Sequence, residues 1–120
     1  MRKLSAVFTL LALCLAASPA FADADLHGTT WVSDGGSYVC GIRSLKFDTD
    51  PQFMTVTVEA TWSIGAANWS WKDGKLILDF RDWDASFEGV PKGADEIDAT
   101  FKWTPQGGYD RVDACVFRRR

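Results

Sequence analysis

Apolar and polar residues alternate with a period of two in several stretches of the chain. Residues 53–62 and 96–104 show this most clearly, with threonines and charged residues at most of the intervening positions. A period of two is typical of antiparallel strands that have one buried face. The residues that this pattern predicts to face inward are Met54, Val56, Val58, Ala60, Trp62, Ile97, Ala99, Phe101 and Trp103.

A hairpin is predicted where the pair Asp73-Gly74 lies between two further alternating runs. Both central residues of a type I′ turn need a positive φ, which glycine accepts freely and aspartate tolerates better than most residues. This turn sets a register whose pairs are Lys72 with Lys75, Trp71 with Leu76, Ser70 with Ile77 and Trp69 with Leu78. The inward face of the hairpin then consists of Trp69, Trp71, Leu76, Leu78 and Phe80.

Shorter β-prone runs lie on either side of these strands. Residues 26–33 predict a first strand and residues 111–118 a last one, while residues 64–67 are expected to turn the chain into the hairpin. Between them, the inward residues of the second and third runs are expected to be Tyr38, Cys40, Ile42, Leu45 and Phe47.

Seven or eight short strands with hairpin-length connections predict an all-β antiparallel domain. Residues 23–120 show no helical period longer than one turn. A small meander β-barrel is the favoured architecture, because closure removes the exposed strand edges that an open sheet must protect. A β-sandwich is the alternative.

Residues 1–22 have the features of an export signal. Arg2 and Lys3 form the positive region, residues 4–15 the apolar region, and Ala20-Phe21-Ala22 a cleavage site before Asp23. The apolar run is too short to span a bilayer well. The sequence therefore predicts a single domain of residues 23–120, periplasmic or secreted, without membrane insertion after the signal is removed.

Two cysteines, Cys40 and Cys115, remain beyond the signal. Disulfides persist in exported proteins, and two cysteines allow only one pairing within the chain. We expect a structural disulfide, because the Cys-x-x-Cys spacing of a redox pair is absent. A bond between an early strand and the last strand is consistent with a closed barrel.

The charge of the chain makes nucleic acid an improbable partner. The formal net charge is −3, and removal of the signal takes away two basic residues and no acidic ones. An acidic surface repels phosphate backbones.

Catalytic residues are not recognisable in the sequence. His27 is the only histidine and lies near the predicted new N-terminus, and no serine or cysteine nucleophile has a base at a motif spacing. The expectation is a protein without enzymatic activity, resident metal or cofactor. A hydrolase that uses two carboxylates is the alternative, since such pairs have no fixed spacing; its candidates are Asp79, Asp82, Asp84 and Glu88.

Residues 81–94 are predicted to form the one long irregular loop, because glycine and proline interrupt the pattern there. Its candidate binding residues are Trp83, Asp82, Asp84, Phe87 and Glu88. Trp83 lies outside any strand pattern and is the leading candidate for an exposed contact. The oxygen-bearing residues resemble a calcium loop in their spacing, but Phe87 replaces the glycine that such a loop needs, so no metal site is predicted.

The ends of residues 23–120 resemble the lipocalin and calycin group of small barrels. The resemblance rests on Gly28-Thr29-Thr30-Trp31, which is one residue longer than the usual Gly-x-Trp, and on Arg118 or Arg119. In that group an arginine from the last strand packs across the tryptophan. The chain also resembles avidin and the periplasmic protease inhibitors built on this barrel, and its Leu-x-Gly-Thr-x-Trp run is similar to the start of META domains.

These features together predict a non-catalytic binding protein whose partner is a protein or a small molecule. The favoured function is an inhibitor or another protein-binding barrel. The alternatives are a carrier of a small apolar ligand and a carbohydrate-binding module, because tryptophan faces suit both sugars and apolar ligands.

Overall fold

The computed structural model describes residues 24–35, 39–105 and 107–120. The predicted signal peptide, residues 1–22, and the expected inward residue Tyr38 lie outside the described residues. The described chain is all-β, with strands β1 Thr30–Asp34, β2 Ile42–Phe47, β3 Thr55–Ala60, β4 Ile64–Lys72, β5 Lys75–Phe80, β6 Ala85–Pro91, β7 Glu96–Trp103 and β8 Arg111–Arg119.

The eight strands form a closed barrel in which each strand pairs antiparallel with its neighbours in sequence. Pairing of β1 with β8 closes it, with Trp31 opposite Arg119 and Asp34 opposite Val116. The predicted meander barrel is therefore confirmed over the sandwich. Closure pairs the backbone of every strand on both sides, so no open sheet edge remains among these eight strands.

The β4–β5 hairpin has the register predicted from its turn. Lys72 lies opposite Lys75, and Trp71 lies opposite Leu76. Asp73 and Gly74 have φ values of 51° and 78°. Both are positive, as a type I′ turn requires, and the twist of that turn matches the twist of the strands it joins.

A β-bulge in β2 explains why the inward positions of this segment change phase. Cys40 and Ile42 are buried at even positions, whereas Leu45 and Phe47 are buried at odd positions. The register against β3 shifts between Ile42 and Ser44. The extra residue moves the following side chains to the opposite face, so Cys40 and Ile42 before it and Leu45 and Phe47 after it are all buried.

The β3–β4 connection differs from the prediction. Residues 64–67 lie within β4, and the chain turns earlier, at residues 61–63. Met54 and Trp62 were expected to face inward but are 43% and 44% exposed. The alternation continues in sequence for two residues beyond each end of β3, where the chain has left the sheet.

The prediction of a long irregular loop at residues 81–94 is wrong. Residues 85–91 form β6, which pairs along its whole length with β7. Gly89 is buried in this strand and lies directly against Ile97. A Cβ at this position would lie 2.8 Å from Cγ2 of Ile97, which is too close. The glycine that suggested a loop makes room for a neighbouring core side chain. Only residues 81–84 connect β5 to β6.

The predicted disulfide joins Cys40 and Cys115 within the buried core. Their Cα atoms are 5.3 Å apart across a sequence separation of 75 residues. Both cysteines are almost fully buried. The bond therefore links the β1–β2 connection to β8, two segments that meet where the barrel closes.

The two ends of the barrel are built differently. We call the end that carries the β1–β2, β3–β4, β5–β6 and β7–β8 connections the upper end, and the opposite one the lower end. The N-terminal segment, residues 24–29, lies at the lower end. Its Leu26 is buried, and Nε1 of Trp71 donates a hydrogen bond to the Ala24 carbonyl at 3.0 Å. This segment covers the lower end of the core.

Within the described ranges, no helix has the length and apolar content needed to cross a membrane.

His27 forms hydrogen bonds through both ring nitrogens and so holds the N-terminal segment against the β2–β3 connection. Nδ1 lies 2.5 Å from Oδ1 of Asp25, and Nε2 lies 3.0 Å from the Phe53 carbonyl oxygen. Two acceptors favour the imidazolium, which donates from both nitrogens. The hydrogen bond with Asp25 raises the pKa of His27 above its ordinary 6.5. The backbone N–H and the ring of His27 lower the pKa of Asp25 below 3.8.

Removal of the disulfide is expected to lower the free energy of unfolding by about 2 to 4 kcal/mol, because the bond restricts the unfolded chain. Urea unfolding of the oxidised protein should be compared with that of the C40A/C115A variant. Alkylation in urea without reductant, where both positions are accessible, should modify neither residue. Two reactive thiols under these conditions would contradict the disulfide.

The Asp25–His27 pair is expected to make stability depend on pH in a defined direction. The contribution of His27 is complete below pH 6.5 and is lost as the pH rises through its raised pKa. The contribution of Asp25 is present above pH 3.8 and is lost as the pH falls through its lowered pKa. The urea midpoint of the native protein should therefore decline above pH 6.5 more steeply than that of His27→Gln. Parallel profiles for the two proteins would show that the pair contributes nothing.

Candidate functional site

Three tryptophans meet at the upper end of the barrel. Trp62 lies in the β3–β4 connection, Trp83 lies in the β5–β6 connection, and Trp103 is the last residue of β7. Trp62 is 44% exposed, whereas Trp83 and Trp103 are half-buried and pack against the core. Consecutive upper connections thus bring together indoles that are far apart in sequence.

The rings form a continuous aromatic cluster. Trp62 stacks on Trp103, with centroids 4.3 Å apart and planes 16° apart. Trp83 is tilted by 55° to Trp62 at a centroid distance of 4.9 Å, and it also packs on Phe80. Trp62 therefore contacts both other indoles, and the three rings form one packed group.

Two glycines give the indoles room against the backbone. A Cβ at Gly41 would lie 2.9 Å from the Trp103 ring, and a Cβ at Gly65 would lie 2.8 Å from Cζ2 of Trp83. Such distances are shorter than real Cβ contacts. The positions of both rings therefore depend on the absence of a side chain in the neighbouring segments.

Asp113 is the one buried charged residue among the described residues, with 5% exposure. Its Oδ2 accepts hydrogen bonds from the Gly41 backbone N–H and from Nε1 of Trp103, each at 2.8 Å. Its Oδ1 accepts from Nη2 of Arg111 at 2.8 Å. Because buried carboxylates need such partners, Asp113 fixes Trp103 and the β1–β2 connection together.

Arg111 also contacts the aromatic cluster. Its guanidinium carbon lies 5.0 Å from the centroid of the Trp103 ring, within the range of a cation–π interaction. A cation, an indole and a carboxylate are thus in mutual contact here, supplied by Arg111, Trp103 and Asp113.

A cleft of about 440 Å³ opens beside the cluster. Its walls include Trp62, Trp83 and Trp103, and its rim includes Asp82 and Asp84. Both aspartates are exposed, and no ion pair within the described residues involves either of them. Arg81 is engaged elsewhere, because its Nη2 donates to Oδ1 of Asn68 at 2.9 Å. The cleft therefore combines aromatic walls with negative charge.

The structure separates the five binding residues expected from the sequence. Trp83, Asp82 and Asp84 line the cleft. Phe87 is 1% exposed and packs on Phe117 inside the barrel. Glu88 is exposed on the barrel wall, where it lies 3.8 Å from Nζ of Lys75. The last two residues lie on β6, the strand that was expected to be a loop.

Sequence reasoning missed four residues of this end: Trp62, Trp103, Arg111 and Asp113. The two tryptophans were placed in the core because they agree in phase with aliphatic neighbours. At the end of a strand, however, the inward direction leads to the mouth of the barrel. Asp113 carried a recognisable signal, because it shares the inward phase of Cys115 and Phe117 on β8.

The described chain holds no group of three or more His, Cys, Asp or Glu side chains that could bind a metal ion. At the lower end, Arg119 lies opposite Trp31 in the β1–β8 register. Arg118 forms ion pairs with Asp34 at 3.2 Å and Glu96 at 2.9 Å. The closed eight-stranded barrel agrees, at the level of the fold alone, with the small β-barrels that the ends of the sequence resemble.

No protein-family model, curated protein or solved structure matches the chain significantly.

Substitution Gly65→Ala is expected to displace Trp83 and lower the free energy of unfolding by about 1 to 3 kcal/mol, the usual cost of overpacking. In a Trp83→Ala background the clash is gone, and Gly65→Ala should be neutral or slightly stabilising, because alanine reduces the entropy of the unfolded chain. Urea unfolding of the four proteins in this cycle measures the difference. An equal cost of Gly65→Ala in both backgrounds would show that Trp83 does not occupy this space.

Proposed function

We propose that this chain is an exported, non-catalytic binding protein and that it binds its partner at the upper end of the barrel. The supporting observation is the convergence of three tryptophans and two exposed carboxylates on one cleft, while the N-terminal segment covers the opposite end. Export is supported by the signal-like residues 1–22 and by the Cys40–Cys115 disulfide, since such bonds persist in oxidising compartments.

Exposed apolar side chains elsewhere at the upper end favour a protein partner. Further exposed apolar side chains in the upper connections or near the upper ends of the strands are Val39, Ile64, Tyr109 and Val112. Exposed apolar surface rimmed by charged residues is characteristic of interaction sites, and tyrosine and tryptophan contribute much of the binding energy at interfaces. An inhibitor or another protein-binding barrel is therefore the leading function.

Transport of an apolar ligand inside the barrel is less well supported. Large side chains from the strands, among them Phe87, Phe101 and Phe117, are fully buried and fill the interior. A barrel of eight strands is just wide enough to be filled in this way.

Carbohydrate binding is the second candidate, because the Trp62 ring is exposed enough to stack on a sugar. A carboxylate hydrolase is less favoured. Asp82 and Asp84 are exposed, whereas the general acid of a glycosidase needs an apolar environment that keeps it protonated.

Trp62→Ala is expected to weaken partner binding by about tenfold or more, as loss of an interface tryptophan commonly does. The oxidised protein would be immobilised, and partners from the exported fraction identified by mass spectrometry and measured by calorimetry. Trp71→Phe, at the lower end, is the matched control and should bind like the native protein. Urea midpoints of both variants establish that they are folded.

Equal binding by native protein and Trp62→Ala would refute the upper end as the binding surface. Turnover of a glycan or peptide substrate by the pure protein, lost in Asp82→Asn or Asp84→Asn, would establish the hydrolase instead.

A further inference from the structure

We infer that the upper-end cleft accepts a cationic group, the ammonium or guanidinium of a lysine or arginine side chain presented by a partner protein. This inference rests on the proposed binding function and assigns the chemistry of its central contact. Three features of the cleft carry it: its aromatic walls, its unpaired carboxylates, and the presence beside it of the same arrangement already occupied by Arg111.

Indole rings form the walls of the cleft. The π-face of an aromatic ring carries negative potential, and tryptophan is the strongest cation–π partner among the side chains. Trp62 and Trp83 stand 55° apart in plane with centroids 4.9 Å apart. The two rings are thus in contact with each other, and a guanidinium or ammonium seated in the cleft would pack against this tilted pair from the cleft side.

The rim supplies charge of the correct sign. Asp82 and Asp84 flank Trp83 in sequence and line the cleft with it, and no lysine or arginine belongs to its lining. Neither aspartate joins an ion pair within the described ranges. Their charges therefore remain available to a cation from outside, and the net negative charge of the chain favours its approach.

Arg111 shows how this end of the barrel holds a cation. Its guanidinium lies over Trp103 at 5.0 Å and donates to the Asp113 carboxylate at 2.8 Å. The cleft repeats these components with Trp83 as the indole and Asp82 or Asp84 as the carboxylate, but no cation is among its lining residues; Lys102 and Arg111 line a neighbouring cleft that shares Asp84. A basic side chain of a partner would complete a second unit of the same kind.

A protein-borne cation fits better than a free amine because of the exposed apolar side chains elsewhere at the upper end. Ile64 and Val112 are 65% and 67% exposed, and Tyr109 is 92% exposed. A basic side chain that enters the cleft brings its own backbone and neighbours over the upper end, where these apolar side chains are exposed.

The test uses the oxidised protein and three short capped peptides with one central residue: arginine, lysine or citrulline. Citrulline has the shape of arginine without its charge. Titrations are followed by the indole N–H resonances of Trp62 and Trp83 in two-dimensional NMR, assigned with Trp62→Phe and Trp83→Phe. The expected result is that both resonances shift with the arginine and lysine peptides and not with the citrulline peptide.

Charge dependence is tested with the D82N/D84N variant, in which the aromatic walls are unchanged. Affinity for the arginine peptide should fall by about tenfold, in line with the loss of two weak to moderate charge contacts, and should decline as salt is added. The matched control is D73N/D95N, which removes two exposed carboxylates at the lower end and alters net charge equally. This control should bind within about twofold of the native protein.

Each other outcome overturns the inference in a recognisable way. Equal shifts with arginine and citrulline, insensitive to D82N/D84N, would show recognition of a neutral planar group. Shifts with a neutral oligosaccharide and none with the cationic peptides would show a carbohydrate site. In both cases the cleft remains the binding surface. If no probe shifts Trp62 or Trp83, the cation inference fails; the proposed function fails with it only if Trp62→Ala also leaves partner binding unchanged.

Discussion

Pairing of β1 with β8 is the constraint on which the rest of the structure depends. Once the sheet is closed, every strand has a fixed inner and outer face, and the connections divide between two ends. One end is covered by the N-terminal segment through Leu26 and His27. The other is left to the side chains of the upper connections, so that Trp62, Trp83 and Trp103 become neighbours. The site is therefore a product of topology, because none of these residues is near another in sequence.

Sequence patterns predict strand register and buried faces correctly where the residue types and the position of the strand in the sheet favour the same structure. The Asp73-Gly74 turn determines its own register, and the buried faces of β3 and β7 follow from simple alternation. The pattern failed at residues 81–94, where Gly89, Pro91 and Gly93 indicated a loop. Gly89 instead faces the inside of the barrel, and the residue there is a glycine because Ile97 occupies the space that a side chain would take. A single sequence does not distinguish a glycine that frees the backbone from one that makes room for a neighbour.

The candidate site was predictable in part for a related reason. Trp83, with Asp82 and Asp84, was identified because these residues interrupt the alternation between β5 and β6. Trp62 and Trp103 continue an alternating run and were therefore assigned to the core. Phase gives the direction of a side chain but not its height along the barrel, and at the upper end the inward direction leads into the cleft. The role of Asp113 depends on the Gly41 N–H and the Trp103 indole, two partners distant in sequence.

Gly41 and Gly65 affect how much conformational entropy the cleft would lose when a ligand binds. Each lies directly against an indole, so Trp103 and Trp83 rest on main chain, and Trp103 is further held by Asp113. Gly65 belongs to a paired strand and the Gly41 N–H is held by Asp113, so both rings rest on constrained backbone and lose little rotational entropy when something binds. A ligand that contacts these two rings needs no preceding rearrangement of them, and its affinity is not reduced by the cost of ordering them. Selection among ligands then falls to shape and charge, since a rigid pocket cannot adapt to a poorly fitting group.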